Sequence, residues 1–324
     1  MHIPDGFLDT KTIVATSLLS AAGVGRALHD IKQKLPSRKM PLMGLSAAFI
    51  FVAQMVNFPV AGGTSGHLVG AVLASILLGP AAAIVIMCVV LVSQCFLFAD
   101  GGVLSLGANI FNMGIVATVS GYTVYRLISG VIKAEYGMFL AAGFAAWFST
   151  VLAAIVCTGE LAWSGTVPFA TGFPAMAGIH MLIGVGEAVI TMLVCAAVYK
   201  ARPDIIFISG SRKDAYELTL GKLIIYGSLV ILGMILFILP FASKLPDGLE
   251  KVAASMGFQS RQITHSLVHA PIADYRIPGI GSLTVATGLA GLVGAVIVFA
   301  LCFFIARVMF PPLRKQEPQA PDAA

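Results

Sequence analysis

Charge is what this chain has least of. Asp, Glu, Lys and Arg make up 11% of its 324 residues, where a soluble domain carries about 25%. That scarcity excludes an ordinary soluble globular protein. The net charge of +5 and the pI near 9.0 invite a nucleic-acid partner, but the basic residues sit in short loops between apolar runs, so no nucleic acid is expected. Cysteine is sparse as well. Cys88, Cys95, Cys157, Cys195 and Cys302 are odd in number, lie inside apolar runs and form no CxxC pair, which excludes a disulfide framework and a thiolate zinc site. There is no HExxH. Gly221-Lys222 is followed by Leu223 and lacks the glycine of a phosphate loop, so the chain is not expected to hydrolyse ATP. The first residues have no basic segment, apolar run or small-residue cleavage site to suggest a signal peptide. His2 is bulky enough that Met1 is expected to stay.

What is abundant is hydrophobic sequence, 58% of the chain, with a mean hydropathy of +0.94. Nine runs read as helices: Thr12–His29, Met40–Val56, a short one over His67–Gly79 ended by Gly79-Pro80, Pro80–Phe98, Val103–Leu127, Gly137–Thr158, Ala175–Lys200, Thr219–Phe241 and Leu283–Phe310. Most are long enough to cross a bilayer, which takes roughly 17–25 residues. The expected fold is an all-α polytopic membrane bundle. Seven helices form a first part (1–200), a polar linker follows (201–218), and a helix–loop–helix unit comes next (219–310). A tail (311–324) is expected to be disordered. With the N-terminus outside, fifteen of the twenty basic residues fall in inner loops, so the positive-inside rule predicts an outer N-terminus and an inner C-terminus.

Two polar elements then share the outer side. The first is the start of the chain. Met1-His2 offers a divalent ion the α-amine of Met1, the backbone nitrogen of His2 and an imidazole nitrogen. These close two fused chelate rings that suit a planar ion such as Ni(II) or Cu(II). Alone, His2 also reads as an ordinary residue of a loose terminus. The second element is the uncharged loop Asn57-Phe58-Pro59-Val60-Ala61-Gly62-Gly63-Thr64-Ser65-Gly66-His67. Broken, glycine-rich segments at membrane depth are tolerated where they line a cavity, and transporter sites are built there. Thr64 or Ser65 is expected to cap the helix that follows, and His67 can supply a fourth nitrogen. His180 and Glu187 share a face of the seventh helix and read either as functional groups or as a hydrogen-bonded packing pair, the latter favoured. Asn109 and Asn112, with Gln54 and Asn57, read as interhelical bonds or as groups that orient the ligands. Asp5 and Asp100 can attract cations.

The segments Met1-His2-Ile3-Pro4-Asp5-Gly6-Phe7-Leu8, Gly63-Thr64-Ser65-Gly66-His67-Leu68-Val69-Gly70, Gly79-Pro80, Phe98-Ala99-Asp100-Gly101-Gly102, Gly107-Ala108-Asn109-Ile110-Phe111-Asn112-Met113 and Gly184-Val185-Gly186-Glu187-Ala188 together resemble the CbiM/NikM family. These are substrate-binding membrane components of energy-coupling factor transporters for cobalt and nickel. Leu245-Pro246-Asp247-Gly248-Leu249-Glu250 resembles the small CbiN/NikN partner. The resemblance implies a fused protein that binds Ni(2+) or Co(2+) as transported substrate through Met1, His2 and His67, with no cofactor. It implies Asp5, Thr64, Ser65, Asn109 and Asn112 as supporting groups. It also implies a CbiQ/NikQ-like coupling protein and CbiO/NikO-like ATPase subunits as partners. A metal-using membrane enzyme is disfavoured, because four nitrogen donors leave no open position for catalysis. An autonomous permease or channel is the alternative. Four planar nitrogens favour nickel, although the family contains both metals.

Overall fold

The computed structural model describes residues 1–34, 39–132, 135–202, 206, 220–263 and 268–309. The chain is an all-α multi-pass membrane protein. Five helices have the length and composition to span a bilayer: Pro80–Phe98, Tyr136–Trp163, Phe169–Ala201, Ile224–Phe241 and Leu283–Met309. In chain order the helices are α1 (Thr10–Lys34), α2 (Met40–Met55), α3 (Ala71–Leu78), α4 (Pro80–Phe98), α5 (Leu106–Asn109), α6 (Ala117–Val131), α7 (Glu135–Trp163), α8 (Phe169–Ala201), α9 (Leu220–Phe237), α10 (Gly248–Met256) and α11 (Leu283–Met309). A π-helical stretch, Ile110–Val116, joins α5 to α6.

The short α3 lies at the centre, buried at every residue, and packs on α4, α6, α7 and α8. An eight-residue helix cannot span a bilayer, so its polar ends must be satisfied inside the protein. The C-terminal unit is docked on this core: α9 and α11 pack against α2. Gly294 of α11 receives the ring of Phe51, and a Cβ there would meet the ring at 2.2 Å. Only glycine allows the helices to approach so closely.

Several expectations are corrected. The loop after α2 is a β-hairpin, with β1 (Phe58–Val60) antiparallel to β2 (Thr64–Gly66) in the register Phe58↔Gly66, Pro59↔Ser65 and Val60↔Thr64. Its turn runs through Gly62 and Gly63, both at positive φ. Consequently the third helix starts at Ala71 and not at His67, and neither Thr64 nor Ser65 caps it. Gly70, at φ +79°, stands at the cap position without a side chain to offer. The fifth helix starts at Leu106, because residues 103–105 are turned around Asp5. The long loop of the C-terminal unit contains a helix, α10, that its Pro-Asp-Gly turn signal hid. The 201–218 linker, apart from 201, 202 and 206, and the 311–324 tail lie outside the described residues.

Candidate metal centre

Five segments meet at one end of the bundle: residues 1–9, the hairpin, the α4–α5 turn, the α7–α8 turn and the long loop before α11. The N-terminal segment is pinned as firmly as a strand in a sheet. Ile3 N donates to Asn109 Oδ1 at 2.7 Å and Asn109 Nδ2 donates back to Ile3 O at 3.1 Å. Gly102 N adds a bond to the same carbonyl. The Asp5 carboxylate accepts from the backbone N–H groups of Val103, Leu104 and Ser105 at 3.0, 2.9 and 3.2 Å. A Cβ on Gly102 would sit 2.1 Å from Asp5 Oδ1, so the turn accommodates Asp5 only because residue 102 is glycine. Ile3 and Phe7 are fully buried. Asp5 is therefore spent on anchoring the segment. Asp9 then accepts from Thr12 N and starts α1.

This anchoring carries the first two residues into the protein. The Met1 amine donates to His67 Nε2 at 3.1 Å, and the His2 and His67 rings lie 5.3 Å apart. His67 Nδ1 donates to Leu68 O at 3.2 Å, which fixes the tautomer and leaves the Nε2 lone pair facing the amine. A ligating histidine is commonly oriented in this way. Burial, the Met1 ammonium and the His2 ring hold the His67 imidazole well below its ordinary pKa. Burial also lowers His2, against the opposing pull of Asp100.

His2 Nδ1 lies 3.3 Å from Asp100 Oδ1, and its Nε2 lies 3.2 Å from Gln94 Oε1. With its pKa lowered, the ring is neutral and has one N–H, which Asp100 draws to Nδ1. Nε2 must then accept, so the Gln94 amide turns its NH2 toward it. The same turn gives Gln94 Nε2, otherwise without a partner, an acceptor. Ala99, in the left-handed region at φ 57°, bends the chain so that Asp100 returns toward His2.

Sequence reasoning missed the residue closest to the amine. Asp247 Oδ2 lies 2.9 Å from the Met1 nitrogen. Asp247 also caps α10, accepting from Glu250 N, while the Glu250 side chain accepts from Asp247 N. Burial pushes the Asp247 carboxyl up, but the ammonium and the Glu250 amide outweigh it and hold it below the carboxylate range. The echo between Ile3-Pro4-Asp5-Gly6 and Leu245-Pro246-Asp247-Gly248 was the available signal. Each Pro-Asp-Gly presents an aspartate to backbone N–H groups.

The supporting residues divide into distinct tasks. Thr64 Oγ1 donates to Pro246 O at 3.0 Å, and Ser65 Oγ donates to Leu245 O at 2.7 Å. With Ser65 N on Pro246 O, they fasten the hairpin to the segment that holds Asp247. Asn109 anchors Ile3. Asn112 does not join it: the wider π turn rotates Asn112 toward α7, where its Nδ2 donates to Glu160 Oε2 at 2.7 Å. His180 and Glu187 do not bond each other. His180 Nδ1 donates to Met176 O, and its ring lines a small cavity with Met1, His67, Thr150, Asp247 and Gly248. Glu187 accepts from Val69 N at 2.6 Å and Gly70 N at 2.9 Å, capping α3 from α8 at the place where its own cap residue cannot. Gln54 Nε2 donates to Val69 O. Among the described residues no three His, Cys, Asp or Glu side chains are grouped to hold a metal.

Comparisons with known proteins follow the same division. Residues 2–205 match the family described as the cobalt uptake substrate-specific transmembrane region, and residues 221–310 match the PDGLE domain. A putative fused nickel transport protein NikMN of Archaeoglobus fulgidus is 39% identical over 316 residues, covering 95% of this chain and 98% of its own. A putative cobalt transport protein CbiM of Methanococcus voltae is 32% identical, covering 63% of this chain and 94% of its own. The crystal structure of a truncated transition metal transporter superposes with a TM-score of 0.57 at 31% identity, over 62% of this chain and 99% of that one. This chain belongs to the cobalt uptake substrate-specific transmembrane family, with a PDGLE domain fused after it.

Proposed function

We propose that this protein captures a divalent transition-metal ion, Ni(2+) or Co(2+), for import. The ion is held by the Met1 amine, the His2 backbone nitrogen, a His2 imidazole nitrogen and His67 Nε2. One observation carries the reading: the Met1 amine lies 3.1 Å from the lone-pair nitrogen of a buried, neutral His67. In a planar complex the position beside the amine is the one the dipeptide leaves open, and adjacent ligand nitrogens stand at about that separation. Nickel suits four planar nitrogens better than cobalt does.

The chain acts as the substrate-binding component of an energy-coupling factor type ABC transporter. Its N-terminus faces outside and its C-terminus inside, as the distribution of basic residues favours. A CbiQ/NikQ-like coupling protein and CbiO/NikO-like ATPase subunits supply the energy, since no nucleotide motif is present in this sequence. Support for a transport role comes from the names of its relatives, which are nickel and cobalt transport proteins. Asp247 serves as counter-ion to the amine and carries the PDGLE loop to the site.

The test is a variant with one residue added before Met1, which converts the amine to an amide. Tight metal binding, measured by elemental analysis and titration calorimetry, is expected to be lost, as in His67→Ala. Undiminished affinity in the extended variant overturns the chelate. In reconstituted vesicles, metal uptake is expected only with the coupling and ATPase subunits present. Uptake by this chain alone establishes the autonomous permease instead.

A further inference from the structure

Among the buried polar groups that metal capture leaves unused, Glu160 and Asn112 stand out. Glu160 lies in the last turns of α7, inside a membrane-spanning helix. Its residue is 7% exposed, and Asn112 in the π-helical stretch is 1% exposed. One hydrogen bond joins them, from Asn112 Nδ2 to Glu160 Oε2 at 2.7 Å. The other oxygen of each, Glu160 Oε1 and Asn112 Oδ1, has no partner among the described residues.

Two buried acceptors without a donor between them cost about 1–3 kcal/mol each, more if one carries charge. A single hydrogen satisfies both. Protonated at Oε1, a carboxyl presents to an amide the same donor–acceptor edge that the amide presents to it, and the pair closes into a ring of two hydrogen bonds. A hard cation is a poor occupant, because it takes about six to eight oxygens and this pair offers two. Glu187 and His180 of α8 are committed elsewhere. On α8, both Glu187 oxygens accept from Val69 N and Gly70 N, and His180 Nδ1 is held by Met176 O. On α7 itself, Cys157, one turn earlier, is buried and carries no charge as a thiol. Among the described residues no cation pairs with Glu160 to stabilise an ionised form, and a buried carboxylate without one is costly.

We propose that Glu160 and Asn112 form a proton-binding site, in which the proton rides on Glu160 Oε1 and is donated to Asn112 Oδ1. The neutral ring ties α7 to the π-helical stretch. Asn109, one turn earlier on that segment, grips Ile3, so the ring braces the anchor of the N-terminal segment. A π turn inside an α-helix often marks a functional position, and here it aims Asn112 at α7. Parting of α7 from this stretch opens the ring and frees the proton for exchange, which links that helix motion to protonation. This site stands whether or not Met1, His2 and His67 bind metal.

Infrared difference spectra of the full-length protein in nanodiscs test it without any metal. The carbonyl stretch of a protonated carboxylic acid is expected in wild type at neutral pH, shifting on deuteration and missing in Glu160→Gln. Glutamine supplies its own N–H to Asn112 Oδ1, so this variant is expected to match the wild-type melting temperature at neutral pH and to keep it in alkali, where wild type falls. Asn112→Ala is expected to shift the acid band by removing its acceptor. Carboxylate bands in place of an acid band in the wild-type minus Glu160→Gln spectrum overturn the proposal; an ionised Glu160 bridged to Asn112 by water predicts that result. An acid band that Asn112→Ala leaves in place overturns the pairing.

Discussion

Asn109, Asp247 and His67 each make one kind of contact with the first residues of the chain, and each predicts a different failure. Asn109→Ala removes both side-chain bonds to Ile3 and leaves the buried Ile3 N–H unpaired, at about 1–3 kcal/mol, while Ile3 O keeps its bond from Gly102 N. It is expected to weaken metal binding at least tenfold while the His67 loop stays folded, measured by calorimetry beside a thermal melt. Asp247→Asn keeps an α10 cap but strands the Met1 ammonium, and breaking a buried pair costs about 3–5 kcal/mol. Stability should fall in that range, whereas metal affinity should suffer less than in His67→Ala, because the aspartate faces a net positive group both before and after loading. Affinity collapsing as far as in His67→Ala would instead make Asp247 a ligand. The pH dependence separates the donors. Both imidazoles titrate below the ordinary 6.5 and are already free of their second proton at neutral pH. The ammonium and the His2 amide must still shed protons, whereas the His2 ring only moves its hydrogen from Nδ1 to Nε2. Affinity should keep rising with pH above 6.5, with about two protons released per ion, read from titrations in buffers of different ionisation heat. A plateau from 6.5 upward would leave the imidazoles as the only proton-linked ligands. For folding the sign is similar. Lowered histidine pKa values mean that the unfolded chain binds more protons, so stability declines as pH drops below about 6.5.

At the scale of elements, α3 and its cap are the clearest case of one helix completing another. Gly70 frees the backbone to turn at φ +79° but brings no capping group, and Glu187 of α8 fills that role across the core. Glu187→Ala is expected to destabilise the fold by about 1–3 kcal/mol and to disorder the His67 loop, seen as faster amide exchange at Val69 and Gly70. Glu187→Gln, which keeps one acceptor oxygen, should lie between. Exchange unchanged in both variants would mean that the loop is held by Gln54 and the hairpin alone. The sequence made the long apolar helices legible, because a run such as Pro80–Phe98 has few other ways to be satisfied in a membrane. It also displayed the four nitrogens proposed as ligands, since Met1-His2 and His67 are recognisable by type, and the structure brings Met1, His2 and His67 together. What escaped was every contact made by backbone. The hairpin was hidden because Gly62-Gly63 and a three-residue strand leave no periodicity to read. The uses of Thr64 and Ser65 were hidden because their partners, the carbonyls of Leu245 and Pro246, are about 180 residues away. Asn109 and Asn112 were read alike, as interhelical bonds or groups that orient the ligands, and the π turn from Ile110 that separates their tasks leaves no mark in the sequence.

For the whole molecule, the fused C-terminal unit contributes more than two helices against α2. Its long loop holds the first residues of the chain from two sides. Asp247 takes the Met1 amine on one side. On the other, Tyr275 stacks on Phe98 at 4.7 Å and donates to Asp100 Oδ2 at 2.6 Å, holding the aspartate that holds His2. Between them Ile263 N donates to Asp5 O. The two family regions therefore meet at the start of the chain, and removing the C-terminal unit leaves the amine without its counter-ion. Truncation after residue 202 is expected to lower metal occupancy on purification and to loosen the first residues, measured by elemental analysis and by proteolysis of the terminus. Full occupancy in the truncated protein would show that the first part closes the site by itself.

Burial of the amine beneath that loop has a kinetic side. Met1 is 6% exposed and the adjoining cavity is water-sized, so an ion bound for the proposed site should meet a shut door and wait for it to open. Arrival then resembles a turnstile more than a collision. At high metal concentration the observed loading rate should stop climbing and settle at the frequency with which the loop lifts, a frequency that the Asp247 and Tyr275 contacts set. Escape back to the side of entry has to pass the same turnstile, so an ion held at the proposed site should have a residence time longer than its ligand bonds alone would give.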